Sequence, residues 1–572
     1  MLLTVSVSDI LSTDLKRSSV TTDGRKGVCL RKDKTVYRIH QIKLSIGESK
    51  ESIPRKICRK ISIKGMTIKE WKIVRESLDA RDKSDIRFIY SIDFVPEING
   101  SPVICRADLR KMEKAGAQAV KTERYEIPEV RHPERLTEKE QRPVVIGFGP
   151  AGIFAALVLA QAGLKPLVLE RGKDVERRTA DVEKLWAGGP LDSESNVQFG
   201  EGGAGAFSDG KLTTGIKDIR IGKVLEEMVR FGASEEILYR QKPHVGTDIL
   251  KTVVSNIREE ILSLGGCVCF DTRVDNLVVE EGHIKALELS VRTEEGKVRK
   301  EVLNCRDAIL AIGHSARDTF VMLKEKGAAM EQKPFSIGIR IEHPQEMIDI
   351  SQYGKPAKEL GLPPAEYKLS YRCREDNLAA GRGVYTFCMC PGGHVILASS
   401  EDGGVAVNGM SYHDRSSGIA NSALLCDVRT EDFGSEDVLA GVEFQRRYER
   451  QAFRASGGRY AAPEATWGDL RDGRAPQVEG CLPEFAVAAL REAMPHLGEK
   501  LKGFDCEDAK VYAVETRSSS PVRILRGRDG QSLSIRGLYP CGEGAGYAGG
   551  ITSAAVDGIK AAEAVIESMK NR

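Results

Sequence analysis

Two hydrophobic rhythms alternate along the chain. Residues 36–44 read as a strand, and Ile53, Ile57 and Ile61 recur at helical spacing. Thr67 and Glu70 form a capping box ahead of Ile68, Trp71, Val74 and Leu78, which predicts a second helix there. Ile86, Phe88, Tyr90, Ile92 and Phe94 then alternate as a half-buried strand. Residues 35–125 are therefore expected to form a small α+β domain. Further on, residues 144–146 are continuously apolar, as a strand buried on both faces should be. An Ala- and Leu-rich helix over 153–162 stops at Gly163, and a second strand covers 166–169. Residues 249–264 suit an amphipathic helix, followed by strands near 268–270, 274–279 and 284–291. A buried strand over 308–312 ends at Gly313, with His314 after it. Residues 385–399 predict a strand, a turn at Pro391-Gly392-Gly393 and another strand.

The chemistry concentrates between Val144 and Gly172. Gly147, Gly149 and Gly152 make G-x-G-x-x-G between a strand and a helix, with Pro150 and Ala151 at the helix start. The first glycine permits the tight turn, the second lets backbone approach a pyrophosphate, and the third lets the helix lie close on the strand. Glu170 ends the second strand, where a carboxylate can accept both hydroxyls of an adenosine ribose, and Arg171 follows it. Strand, turn, helix, strand and acid in register point to dinucleotide binding. A membrane span is opposed by the glycines, Pro150, Gln161 and Lys165.

Two more glycine clusters extend this reading. In 196–212, Gly200, Gly202, Gly203 and Gly205 expose backbone N–H groups while Ser208 and Lys211 add a hydroxyl and a cation, as a cofactor loop requires. In 537–562 a strand leads to Gly542-Glu543-Gly544, then Gly549-Gly550 and a helix from about Ile551. Glu543 is placed to hold a ribitol hydroxyl. The helix N-terminus points positive charge at what lies before it, which suits the N1–C2=O edge of a reduced flavin.

Composition narrows the class without naming a substrate. The 572 residues are 41% hydrophobic and 29% charged with net charge +2, as in a globular protein of several domains. Thirteen scattered cysteines with no secretory signal favour reduced thiols and a cytoplasmic location. No membrane partner is expected. Residues 1–34 read as a flexible extension, and Asp9, Asp14 and Asp23 argue against a transit peptide. Residues 1–141 carry 30 Lys and Arg against 21 Asp and Glu, with Arg55-Lys56 and Arg59-Lys60 as a basic patch. A solvated helix face explains that patch; binding of RNA is the alternative. Residues 126–141, punctuated by Pro128 and Pro133, form a charged linker.

The paired nucleotide motifs look like the glutathione-reductase-type FAD-binding fold. The longer stretches GEGGAGAFSDGKL, PFSIGIRIEHP, FCMCPGG, NGMS and ETRSSSPVRI resemble the uncharacterised bacterial FAD-dependent dehydrogenase family, over nearly all of residues 37–572. That resemblance implies FAD, a redox role, Gly149, Pro150, Glu170 and Arg171 on the ADP half, the Val274 backbone at the adenine and Glu543 beside the ribityl chain. The wider fold usually has Asp where this chain has Glu543. No second G-x-G-x-x-G lies between strand and helix, so a dedicated NAD(P)H domain is not expected. Transient binding of NADH or NADPH over the flavin stays open.

The expected architecture is α/β. A Rossmann-like FAD-binding domain is split into 142–332 and 502–572 around an inserted mixed or antiparallel β substrate domain at 333–501, with the small N-terminal α+β domain in front. Cys388 and Cys390, expected on one face of a strand, are candidates for a redox pair, although two structural thiols is the plainer reading of C-x-C. His394 alone completes no metal-ligand set, and His343 is more simply structural than a proton donor. Arg517 either binds a substrate carboxylate or pairs with Glu515. The resulting expectation is an FAD-dependent oxidoreductase acting on a small organic molecule.

Overall fold

The computed structural model describes residues 35–101, 103–121, 123–130, 142–374 and 376–570; the expected extension 1–34 and most of the linker lie outside them. Residues 123–130 carry no helix or strand.

The N-terminal module has the order strand, helix, strand, strand, helix, strand. Its sheet runs Met66–Asp79, Arg87–Ile98, Tyr37–Ser45, Ala117–Ala119, all antiparallel. This is the split-βαβ arrangement of ferredoxin-like modules. The helix Ile53–Ile61 has Pro54 in its first turn and buries Ile53, Ile57 and Ile61. Each such side chain contributes about 1.5–3 kcal/mol of apolar burial. The helix expected from Thr67 is instead the strand Met66–Asp79. Register shifts at Ile68/Glu70 and Ile73/Arg75 stretch the strict alternation of a strand into spacings of three, which imitate a helix. The partner strand Arg87–Ile98 decides the matter by pairing along the whole length. On the sheet, Arg38 pairs with Asp93 at 2.7 Å and His40 with Ser91 at 2.7 Å.

The module also braces the rest of the chain. The Glu76 N–H donates to Tyr239 O (2.7 Å), the Gln241 N–H donates to Glu76 O (2.9 Å), and Lys50 holds the Glu76 carboxylate at 2.9 Å.

The nucleotide-binding region is built on five parallel strands in the order Leu538–Pro540, Ala308–Leu310, Val144–Ile146, Leu167–Leu169, Cys267–Cys269. First and last segments of the region thus meet in one sheet. Thr272–Glu280, His283–Arg292 and Val298–Asn304 form the antiparallel meander beside it. The helix Pro150–Gln161 is buried on every side from Ala151 to Ala160, because the sheet covers one face and the C-terminal helix Ile551–Lys570 another. A Cβ on Gly558 would lie 2.0 Å from Ala151 O, so the two helices touch backbone to backbone there.

The insert is a six-stranded antiparallel sheet: Ser370–Arg372, Gly383–Cys390, Ile419–Val428, Phe335–Pro344, Lys510–Glu515, Glu464–Thr466. The helix Glu484–Lys500 packs Ala486, Leu490, Met494 and Leu497 into its core. Lys510–Glu515 lies beyond the expected boundary at 501, yet it pairs with the insert's central strand. The chain therefore leaves this sheet only after Glu515. Among the described residues, no helix is long and apolar enough to cross a membrane.

Candidate functional site

One cavity of about 530 Å³ connects the nucleotide motifs to the insert. At its first end, Gly147 takes φ +97° with Ala311 O so close that a Cβ would sit 2.5 Å away. A Cβ on Gly152 would be 1.9 Å from Gly147 O, so this third glycine serves helix–strand contact and does not line the cavity. Gly149 differs: a Cβ there would meet no protein atom closer than 3.6 Å, and it would point toward Gly203 across the cavity wall. Gly313, Gly549 and Gly550 likewise have nothing within 4 Å of a Cβ, and all three line the cavity. Gly313 is also fixed by its φ of +69°, but the protein itself does not require Gly149, Gly549 or Gly550 to be small, so the space beside them is shaped for a ligand that approaches backbone. That is the fit expected of a dinucleotide lying across the N-termini of Pro150–Gln161 and Ile551–Lys570.

Glu170 is in place at the strand end, 5% exposed, but it is busier than its sequence position suggested. Oε2 accepts the Phe148 N–H (2.7 Å), and Oε1 accepts the N–H groups of Gly172 and Gly200 (2.9 Å each). A carboxylate offers about four acceptor positions. Three of them hold the turn and the loop, which leaves one on Oε2 open to the cavity. Arg171 lines the cavity and is clamped by Glu194 and Asp318 (2.7 and 2.9 Å), with its guanidinium 4.2 Å from the Phe199 ring centroid. Val274 also lines the cavity, at a register shift that frees its strand from regular pairing. Gly542, Glu543 and Ile551 close the middle, where Glu543 stands 3.6 Å from His314 and the His314 Nε2 has no hydrogen-bond partner.

The glycine-rich loop 196–207 is held from beneath by a residue that sequence reasoning missed. Arg178 is fully buried and donates to four carbonyls: Asn196 (2.7 Å), Glu201 (2.6 Å), Gly200 (3.3 Å) and Val197 (2.8 Å). Burial pulls its guanidinium down to about 10, which leaves it charged at neutral pH. Gly203 and Gly205 face the cavity, but Gly202 does not; it turns toward Ala206 and Val254. Ser208 lines the cavity while its hydroxyl is spent on Gly205 O at 2.8 Å. Glu201 is wholly buried beside Gly200 and Gly202, accepting from Val175 N–H (2.9 Å) and Arg258 (2.6 Å). Burial pushes its carboxyl up to about 7 against the opposing charge of Arg258.

At the other end the insert supplies the wall. Arg340, on the central strand and 0% exposed, pairs with Glu515 (2.7 Å) and also donates to Cys388 O, Asn421 Oδ1 and Asn408 Oδ1. The Arg517–Glu515 pairing is thereby corrected. Arg517 grips Glu449 with Nε (3.0 Å) and Nη2 (2.9 Å), and its Nη1 donates to Ser315 and Ser400. With four of its donors committed, it reads as a post between domains. Glu449 carries Arg317 as well, 2.7 Å away, and these charges hold its carboxyl below the usual range in spite of burial.

Cys388 and Cys390 both line the cavity as free thiols, but the regular alternation expected of them is broken. Cys388 sits at φ +41° in a bulge between Phe387 and Cys390 and is exposed, whereas Cys390 is buried. The protein packed around the Cys388 thiol raises it above its ordinary value, with Arg340 and Lys211 opposing. His343 is away from the cavity: Nε2 meets Phe504 O at 2.8 Å, the ring stacks on Phe504, and burial lowers it to about 4, leaving it neutral. His394 belongs to no group able to hold a metal among the described residues.

Fold and site define a class: a Rossmann-type nucleotide-binding region whose cavity is closed by an antiparallel sheet domain. Residues 334–518 match the family described as FAD-dependent protein, C-terminal domain-like, and residues 37–95 match a domain of unknown function, DUF8436. The chain belongs to the same family as an uncharacterized protein of Clostridium beijerinckii, to which it is 45% identical over 93% of its own length and 98% of that protein's. Solved structures show remoter likeness. The FAD-complexed glycerol-3-phosphate dehydrogenase of Bacillus halodurans is 11% identical over 76% of this chain and 66% of its own, with a TM-score of 0.34. The 3-ketosteroid dehydrogenase of Rhodococcus jostii is 14% identical over 75% and 97%, with a TM-score of 0.31. Likeness at these scores fixes neither fold nor activity.

Proposed function

We propose that the protein is an FAD-dependent oxidoreductase acting on a small organic substrate, with FAD seated along the cavity from Val274 to Ile551. The observation that carries this is the shared cavity, with ligand-facing glycines of both nucleotide motifs at one end and the strand Gly383–Cys390 at the other. FAD, when bound, supplies hydride transfer at its flavin ring. The chain's own residues orient and enclose it. Glu170 accepts one ribose hydroxyl, Gly149 and Pro150 present the helix N-terminus to the pyrophosphate, and Glu543 stands beside the ribityl chain. The bulge at Cys388 and the amide of Asn408 form the substrate's wall. Cys388 and Cys390 serve there as neutral wall groups; unchanged turnover in Cys388→Ser and Cys390→Ser is expected.

The test is the visible spectrum of the purified protein, before and after anaerobic NADH or NADPH. A flavin band with about one FAD released per chain is expected. Bleaching by a nicotinamide would assign the donor; a persistent band would point to another donor or to reduction by the substrate itself. No flavin band after reconstitution with FAD would refute the proposal.

A further inference from the structure

The insert's end of the cavity holds more positive charge than its structural pairs consume. Lys211 comes to it from the end of the glycine-rich loop, and Lys242 from the segment braced by the N-terminal module. The two are brought side by side because Lys211 pairs with His244 across a β-bridge and the Leu212 N–H donates to Pro243 O at 3.0 Å. Lys368 adds a third cation on the lining. Three carboxylates stand nearby and share two arginines, with Lys242 on Glu366 at 3.4 Å and Lys211 on Asp209 at 3.5 Å besides. Arg415 holds Asp209 at 2.7 Å and Glu366 at 3.0 Å, while Arg340 holds Glu515 at 2.7 Å. Asp209 also accepts from Ser411.

Lys211 is paired in charge with Asp209, but its Nζ is buried and makes no hydrogen bond. An ammonium removed from water without a hydrogen-bond acceptor is costly, and the cost is relieved when a ligand supplies one. Asn408 offers a second donor at the same end. Its Oδ1 accepts from Arg340 at 3.0 Å and from the Gly409 N–H at 2.8 Å, which turns its Nδ2 away from them. Arg340 also holds Cys388 O, so Asn408 and Cys388 are tied together through it, and both line the cavity with Lys211.

We propose that Lys211 and Asn408 form a subsite for the carboxylate group of a small-molecule substrate, seated beside Cys388. One cationic donor and one amide donor match one carboxylate. A phosphate dianion is disfavoured because Asp209, Glu366 and Glu515 are close enough to repel a second negative charge. This inference rests on the flavoprotein reading and adds the substrate class to it.

The experiment uses the FAD-loaded protein and follows perturbation of the flavin band during titration with acetate and benzoate. Acetamide and benzamide are the uncharged controls, and inorganic phosphate the other oxyanion. The carboxylates are expected to saturate a spectral change that the amides and phosphate do not produce. Lys211→Met should weaken carboxylate binding to the FAD-loaded fraction about tenfold or more, and Lys211→Arg should restore part of it. Amides binding as well as their acids, phosphate binding more tightly, no response to either carboxylate, or Lys211→Met within about twofold of the parent would each overturn the proposal. A parent protein that takes up no FAD would overturn the flavoprotein reading itself, a result distinct from a yellow protein indifferent to carboxylates.

Discussion

Replacing Arg178 by Met removes a fully buried cation beneath the glycine-rich loop while keeping much of its volume. Three of its bonds to loop carbonyls are 2.6–2.8 Å and a fourth is 3.3 Å, all in a site with no solvent exposure. A hydrogen bond to a charged group contributes about 1.5–3 kcal/mol, so the three short ones represent roughly 5–9 kcal/mol before relaxation. Water entry and loop movement offset part of this, and removing one side of a buried charged network costs about 3–5 kcal/mol in practice. That is a large part of the ~5–15 kcal/mol by which a domain is stable. Arg178→Met should therefore lower the melting temperature, expose residues 196–207 to protease and empty the cavity of FAD. Arg178→Lys keeps the charge without the planar fork and should fall between. Thermal unfolding, limited proteolysis and FAD content read all three effects. A Met variant that retains stoichiometric FAD and melts within about 3 °C of the parent would refute the argument.

The two glycines of the first motif separate ligand from fold. Gly149→Ala should fold and melt normally yet lose FAD, whereas Gly152→Ala, with its Cβ 1.9 Å from Gly147 O, should lose about 1–3 kcal/mol or more whether or not FAD is present. Calorimetry with and without FAD distinguishes them. Glu201, raised from 4.5 to about 7, binds its proton more tightly folded than unfolded. Its contribution is thus intact below about pH 4.5 and is lost as the pH rises to about 7, by at most ~1.4 kcal/mol per pH unit. The stability difference between the parent and Glu201→Gln should fall across that window in denaturant titrations, and a flat difference would exclude it. Glu449→Leu leaves Arg317 and Arg517 buried without their shared carboxylate and should cost about 3–5 kcal/mol by urea unfolding.

Much of the nucleotide end was legible in the sequence because its chemistry is local. A strand, a tight turn and a helix N-terminus need particular residues at fixed offsets, so Gly147 to Gly152, Glu170 and Gly542 to Ile551 could be placed from spacing alone. The short apolar strands and the helices at 53–61 and 249–264 followed from periodicity for the same reason. What spacing could not reach was partnership. Met66–Asp79 carries helical spacing and is a strand, because bulges distort its rhythm and the strand Arg87–Ile98 supplies its hydrogen bonds. Glu170 gives acceptors to the distant Gly200 N–H, Arg517 meets Glu449 and not its neighbour Glu515, and Arg178 reads simply as a charged helix residue until the loop is folded over it. Lys211 and Asn408 lie almost two hundred positions apart. Local sequence set what each segment can be; which charges neutralise each other was decided only when the chain closed, because Coulomb and hydrogen-bond partners act through space and not along the backbone.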